Sequence, residues 1–185
     1  VPDEQVLFGC TMTPGDLRGP GHVASHGMAY TPFDALTQDG PAAQLAEKLN
    51  GDQMSWTSAA AAQVWQKAAF NCAMNATAVL GAGTVGAIAE HVGAGLARDI
   101  AAEVLAVGKA EGVTGDIDAV AKQIDFALRE HTGHKPSMLQ DVEAGRRTEI
   151  ESLNGYVEQA AARHGIDAPM NRLLAALVRM RESQN

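Results

Sequence analysis

SAAAAQVWQKAAFNCAMNATAVL, residues Ser58–Leu80, is the stretch on which the fold turns. It is rich in alanine, lacks glycine and proline, and reads as one long helix. From Thr57 to Leu80 the only charged residue is Lys67. At about 3.6 residues per turn, Lys67, Asn71 and Asn75 stand at i, i+4 and i+8 and form one polar line. Trp65, Ala69, Cys72 and Ala76 form an apolar line on another face. A polar line facing water should have polar flanks, yet here they are Val64, Phe70, Met74 and Ala78. The spacing therefore predicts a helix buried nearly all round, with a lysine and two carboxamides aimed into an enclosed space. Burial disfavours the charged form of an ammonium, which makes a lysine in such a place a competent proton donor near neutral pH. Two carboxamides offer donors and acceptors for a carboxylate, a hydroxyl or a keto oxygen.

Helical patterning extends outward from this segment over most of the chain. Ala42–Asn50 reads as a short helix stopped by Gly51, and Gly86–Glu111 as a long one ending near Gly112. Asp116 is a good N-cap for a helix to Glu130. Arg147–His164 reads as helical with Gly165 as its C′ glycine, and Pro169 opens a last helix to about Glu182. Gly51–Thr57 and His131–Lys135 read as loops. Before residue 39 the pattern is β. Gln5–Met12 is an apolar run followed by a turn at Thr13-Pro14-Gly15-Asp16, and His22–Tyr30 is a second strand bounded by Gly21 and Pro32. So few strands do not make a stable sheet alone. They are expected to pair with strands outside this chain or to pack on the helical part. A start at Val1 that runs at once into a strand suggests a fragment.

Composition narrows the class. Of the 185 residues, 46% are hydrophobic, 19% charged and only 4% aromatic, a globular make-up. The abundant alanine and glycine suit helices in close contact. Net charge is −8, with no basic patch, which argues against a nucleic-acid partner. No run reaches roughly 18 consecutive apolar residues, so no membrane span is expected. Cys10 and Cys72 lack any CxxC spacing and read as thiols in a reducing compartment; a cytoplasmic home is expected. His131 and His134 offer too few ligands for a metal site, and none is expected. Cys72 has no histidine at a helical offset and reads as a packed thiol.

Residues 79–87, Val-Leu-Gly-Ala-Gly-Thr-Val-Gly-Ala, contain GxGxxG, the dinucleotide-binding fingerprint. That motif carries meaning only after a strand, inside a βαβ unit. Here a helical run precedes it and another follows, so the expected role is a glycine-rich break between two closely packed helices.

A second polar constellation runs from His134 to Gly155, interleaved with Met138, Leu139, Ile150 and Leu153. Four motifs then stand in order. They are Lys67-x3-Asn71-Cys72-x2-Asn75, Ser137-Met138-Leu139-Gln140-Asp141, Gly145-Arg146-x-Thr148-Glu149-Ile150-x-x-Leu153-Asn154-Gly155 and His164-Gly165-Ile166-x-x-Pro169-x-Asn171. In this combination they resemble the C-terminal domain of the ketopantoate reductase (2-dehydropantoate 2-reductase) family, and the likeness covers essentially the whole chain.

The resemblance implies a mainly α fold: a helical C-terminal substrate-binding domain over 39–185, like that of 6-phosphogluconate dehydrogenase. The strands of 1–38 are then a remnant of an N-terminal NADP-binding Rossmann domain. The implied activity is NADPH-dependent reduction of 2-dehydropantoate to pantoate, on the way to pantothenate and coenzyme A. Lys67 is implied as the catalytic proton donor. Asn71, Asn75 and Ser137 are implied as substrate-binding residues, and Glu149 as a neighbour of the cofactor. The implied partners are a small 2-oxo acid, the missing Rossmann half and a second copy of the chain in a homodimer. The main NADPH-binding loop is missing from the chain, so the fragment alone is expected to be inactive. Val85 stands where the family commonly has an asparagine, which opens an alternative: a paralogous reductase of another 2-oxo acid. A third reading is a non-catalytic helical dimerisation module.

Overall fold

The computed structural model describes residues 1–11, 15–25, 30–52 and 54–184, with no side-chain description at 15–17 and 25. The end of the first expected strand at Met12, the turn residues Thr13 and Pro14, and residues 26–29 lie outside it. The chain divides into two compact units, Val1–Val64 and Trp65–Asn185. The boundary expected at 38/39 falls inside the first unit.

In the first unit, β1 (Leu7–Gly9), β4 (Thr31–Ala35) and β5 (Met54–Trp56) form a sheet in the order β1-β4-β5, while β2 (Gly15–Gly19) and β3 (His22–Ser25) form a separate hairpin. β4 runs antiparallel to β1, with Leu7 opposite Ala35, and parallel to β5, with Phe33 opposite Trp56. The parallel pair is joined by the crossover helix α1 (Pro41–Leu49), whose Ala42 and Ala43 bury against Ala35 and Leu7. Two sequence expectations are corrected here. Pro32 is not a strand boundary but the second residue of the central strand, and its carbonyl accepts from Cys10 N at 2.9 Å. Gly15 and Asp16, expected in a turn, open β2. The buried Asp34 carboxylate accepts from Trp56 Nε1 at 2.9 Å and so ties β4 to β5.

The second unit is helical: α2 (Ala60–Gly81, whose first residues lie before the unit boundary), α3 (Val85–His91), α4 (Gly93–Ala110), α5 (Ile117–Glu130), α6 (Ser137–Glu143), α7 (Asn154–His164) and α8 (Pro169–Glu182). The mainly helical architecture is as expected. Asp116 caps α5 by accepting from Asp118 N at 2.9 Å and Ala119 N at 3.1 Å. Gly165 ends α7 at φ 63°, and Pro169 opens α8.

Two helical expectations change, and one helix is added. The single helix 86–111 is two helices, because Gly93 adopts φ +77° and breaks the run. Residues 147–149 are not helical: a 3-10 turn at Ile150–Ser152 leads into α7, which starts at Asn154. The polar stretch after Pro136 holds the short helix α6, anchored by the buried Met138 and Leu139.

The core joins Ala73, Met74 and Val79 of α2 to Ile100 and Val104 of α4, Ile124 of α5, Met138 of α6, Val157 of α7 and Val178 of α8. Small residues set the close approaches. A Cβ on Gly108 would lie 2.8 Å from the Trp65 ring, so α4 presses its backbone against that indole. The glycine-rich 81–86 segment is a helix–helix corner, as expected: α2 and α3 meet at 88°. Gly86 N donates to Thr132 O at 2.8 Å, and a Cβ on Gly86 would lie 2.9 Å from that oxygen. Among the described residues no single helix is long and apolar enough to cross a membrane.

Where α4 ends, Glu111 accepts from His164 at 2.8 Å and from Arg163 at 3.0 Å. These hydrogen bonds, His164's first, hold the Glu111 carboxyl below the ordinary carboxylate range. A depressed folded-state value means the pair stabilises the fold above the unfolded carboxylate's titration, and this is lost as pH falls through the folded value. Glu111→Gln should therefore melt below the wild-type chain at neutral pH, with a gap that closes as the solution is acidified. A gap constant with pH would show that the ion pairs contribute nothing.

Candidate functional site

α2 carries the polar line as one uninterrupted helix, so Lys67, Asn71 and Asn75 share a face. The expectation that α2 is buried all round holds only for its later turns. Cys72–Ala76 are buried, but Trp65–Ala68 are half-covered and Val64 is 41% exposed. Lys67 and Asn71 are thus half-buried, and Asn75 is 4% exposed. The line runs from an accessible end at Lys67 to a buried end at Asn75.

Glu149 reaches the buried end of this line from the second constellation. It is the N-cap residue of the 3-10 turn, exposed overall, and its Oε1 accepts from Asn75 Nδ2 at 3.5 Å. Neighbouring bonds hold the segment: Thr148 N donates to Glu182 Oε1 at 2.7 Å, and Ile150 N to Thr148 Oγ1 at 3.2 Å. Two motifs 74 residues apart in sequence therefore meet in one place. Ser137 stands exposed at the first turn of α6, beside the anchors Met138 and Leu139. The structure thus joins Glu149 to the α2 line and leaves Ser137 on a neighbouring helix.

The Cys72 thiol is fully buried. Desolvation, and after it the Glu149 carboxylate, push its titration far upward, so it is a packed thiol and not a nucleophile. Val85 is 3% exposed, and its N–H donates to His134 O at 2.9 Å; it is a core residue at the start of α3. His131 packs edge-on against Phe126, with ring centroids 5.3 Å apart. The 81–86 glycines spend an amide on Thr132 and follow a helix, so they do not fit a dinucleotide's pyrophosphate. A cleft of about 370 Å³ lined by Gly145, Arg146, Arg147, Glu182 and Ser183 includes none of the candidate residues.

Sequence reasoning assigned no role to Asn154, Asn171 and Glu103. Asn154 and Asn171 are fully buried and bonded to each other, and Glu103 holds the start of α8. The one local signal was the place of Glu103, three residues after Ile100 on the apolar side of α4.

Comparison with known proteins identifies the family. Residues 59–182 match the family described as ketopantoate reductase PanE/ApbA C terminal. The 2-dehydropantoate 2-reductase of Streptococcus pyogenes serotype M3 is 30% identical over 99% of this chain and 62% of that protein. The Salmonella typhi enzyme of the same name is 33% identical over 81% of this chain and 50% of its own length. The chain thus spans one half to three fifths of these curated relatives. Among solved structures, a D-mandelate dehydrogenase with NADH and anilino(oxo)acetate superposes with a TM-score of 0.88 at 26% identity, covering 100% of this chain and 62% of that one. A PanE/ApbA family ketopantoate reductase from Ralstonia eutropha gives 0.80 at 30% identity, covering 96% and 59%. A match over most of the chain, in a range that includes Lys67, Asn71, Asn75 and Glu149, settles the family: this chain belongs to the ketopantoate reductases.

Proposed function

We propose that the chain supplies the substrate-holding half of an NADPH-dependent 2-oxo acid reductase acting on 2-dehydropantoate, with residues 39–185 as the substrate-binding domain. The observation that carries this reading is the meeting of Asn75 with Glu149 at the buried end of the Lys67 line, in a chain of this family. Reduction of a 2-oxo group needs a hydride at carbon and a proton at oxygen; the nicotinamide, when bound, supplies the hydride. Lys67 gives the proton and, as an ammonium, stabilises the charge developing on the ketone oxygen. Asn71, Asn75 and Ser137 hold the substrate, and Glu149 lies toward the cofactor while fixing the Asn75 amide. Because the glycine corner does not fit the pyrophosphate, the cofactor's phosphates fall to a nicotinamide-binding domain to which the strands of 1–38 belong. A homodimer is supported by the exposed Leu96, Ile117 and Phe126 of α4 and α5, and a cytoplasmic setting by the two thiols.

A second reading has its own observation. Val85 is apolar, buried and committed to the core, and the D-mandelate dehydrogenase superposes as well as the ketopantoate reductases do. It makes the substrate a 2-oxo acid with an apolar side chain. A panel of 2-oxo acids assayed with the whole reductase, with NADPH and NADH in turn, separates the two. The first reading predicts the highest kcat/KM on 2-dehydropantoate with NADPH. A preference for an aryl 2-oxo acid would establish the second, and no turnover of any 2-oxo acid would overturn both.

A further inference from the structure

Asn154 and Asn171 lie in two of the motifs that carry the family likeness, yet neither touches the Lys67 line. They form the middle of a buried hydrogen-bond chain that crosses four helices. At one end the Glu103 carboxylate of α4 accepts from Met170 N at 3.1 Å and Asn171 N at 2.9 Å, the free amides of the first turn of α8. Glu103 Oε2 also accepts from Asn171 Nδ2 at 2.8 Å, and Ile100 O accepts from the same nitrogen at 3.1 Å. A carboxylate and a carbonyl only accept, so the Asn171 amide must present its nitrogen to α4 and its oxygen to α7. Asn154 must then present its own nitrogen. Its Nδ2 donates to Asn171 Oδ1 at 2.9 Å and to the Cys72 carbonyl of α2 at 3.2 Å. The direction of every bond is thus set from Glu103.

The consequence for Asn154 is unfavourable by itself: its Oδ1 is buried and accepts no hydrogen bond. A leucine, of similar size, would carry no orphaned oxygen of its own, though it would take the donor away from Asn171 Oδ1. What leucine could not do is grip the Cys72 carbonyl. Cys72 follows Asn71 and precedes Asn75 by one turn, and Asn154 stands five residues after Glu149. One side chain therefore ties the turn of α2 between the two candidate amides to the segment that presents Glu149.

We propose that Asn154 is a positioning residue, oriented by Asn171 and Glu103, that sets the register of the Lys67–Asn71–Asn75 line against Glu149. Its effect on turnover rests on the reductase reading; its effect on geometry does not.

The test has two arms for that reason. In the 185-residue chain, the ¹⁵N side-chain amide signals of Asn75 are compared among wild type, Glu149→Gln, Asn154→Leu and Asn171→Ala. The last variant frees Asn154 from a distance, and it decides the matter if Asn154→Leu does not fold. Positioning predicts that folded Asn154→Leu or Asn171→Ala moves the Asn75 signals in the same direction as Glu149→Gln. Unmoved Asn75 signals in a folded variant would overturn it. In the whole reductase, well below the melting temperature, Asn154→Leu is expected to lower kcat/KM at least tenfold, chiefly through a raised substrate KM. A lower melting temperature with unchanged kcat/KM would reduce Asn154 to a structural residue. If the wild-type enzyme reduces no 2-oxo acid, the reductase reading falls while the Asn75 signals still decide the positioning.

Discussion

Replacement of Lys67 by alanine is expected to lower kcat by about 100- to 10,000-fold, the span that a positioned general acid contributes, while the protein stays folded. The expectation follows from where Lys67 stands. It is the one charged residue between Thr57 and Leu80, half-buried, on the face that ends at Asn75 and Glu149. With the lysine gone, the proton must come from water, and the oxyanion that forms as hydride arrives has no ammonium beside it. Arginine should not rescue the loss, because a guanidinium keeps its charge but gives up a proton poorly and carries a wider, planar head. Because proton donation is an interaction of the transition state, kcat and kcat/KM should fall together. Steady-state kinetics beside a circular-dichroism melt checks both halves, and wild-type turnover in a folded Lys67→Ala protein would remove Lys67 from the chemistry.

Met138→Ala is the change expected to affect stability most. Met138 is fully buried in the cluster that includes Met74, Val104 and Ile124, and it is one of the two anchors of the seven-residue helix α6. Truncating a buried methionine costs about 2–5 kcal/mol in lost transfer energy and an unfilled cavity, a large part of the roughly 5–15 kcal/mol that holds a typical domain. A helix this short has little stability of its own, so the damage should concentrate at α6. Ser137→Ala, one residue away and exposed, should change stability by no more than about 0.5 kcal/mol and instead raise the substrate KM. Urea denaturation of both variants reads the contrast; equal midpoints would mean that α6 is not anchored through Met138.

How much of this was legible in the sequence depends on the range of the forces involved. The Lys67–Asn71–Asn75 line was, because helical periodicity is local and α2 is long and unbroken. So were the ends of α5, α7 and α8, each marked by a cap or a punctuating residue: Asp116, Gly165 and Pro169. β5 and α6 were not, since three and seven residues are too few for a period to show. Pro32 misled because a proline normally ends a strand, and Gly93 because its positive φ is a fact of conformation. The pairing of Asn75 with Glu149 links residues far apart in sequence, as does the Glu103–Asn171–Asn154–Cys72 chain. No spacing rule reaches such pairs; only the family likeness pointed to Glu149 and Ser137.

The most direct test of the central claim is a crystal structure of the whole reductase with a bound 2-oxo acid and oxidised nicotinamide cofactor. The predicted result places the ketone oxygen within hydrogen-bond reach of Lys67 Nζ, roughly 2.6–3.2 Å, with the substrate also bonded to the amides of Asn71 and Asn75. A 2-oxo acid bound with its ketone oxygen away from Lys67, or held by residues outside the α2 line, would contradict the account.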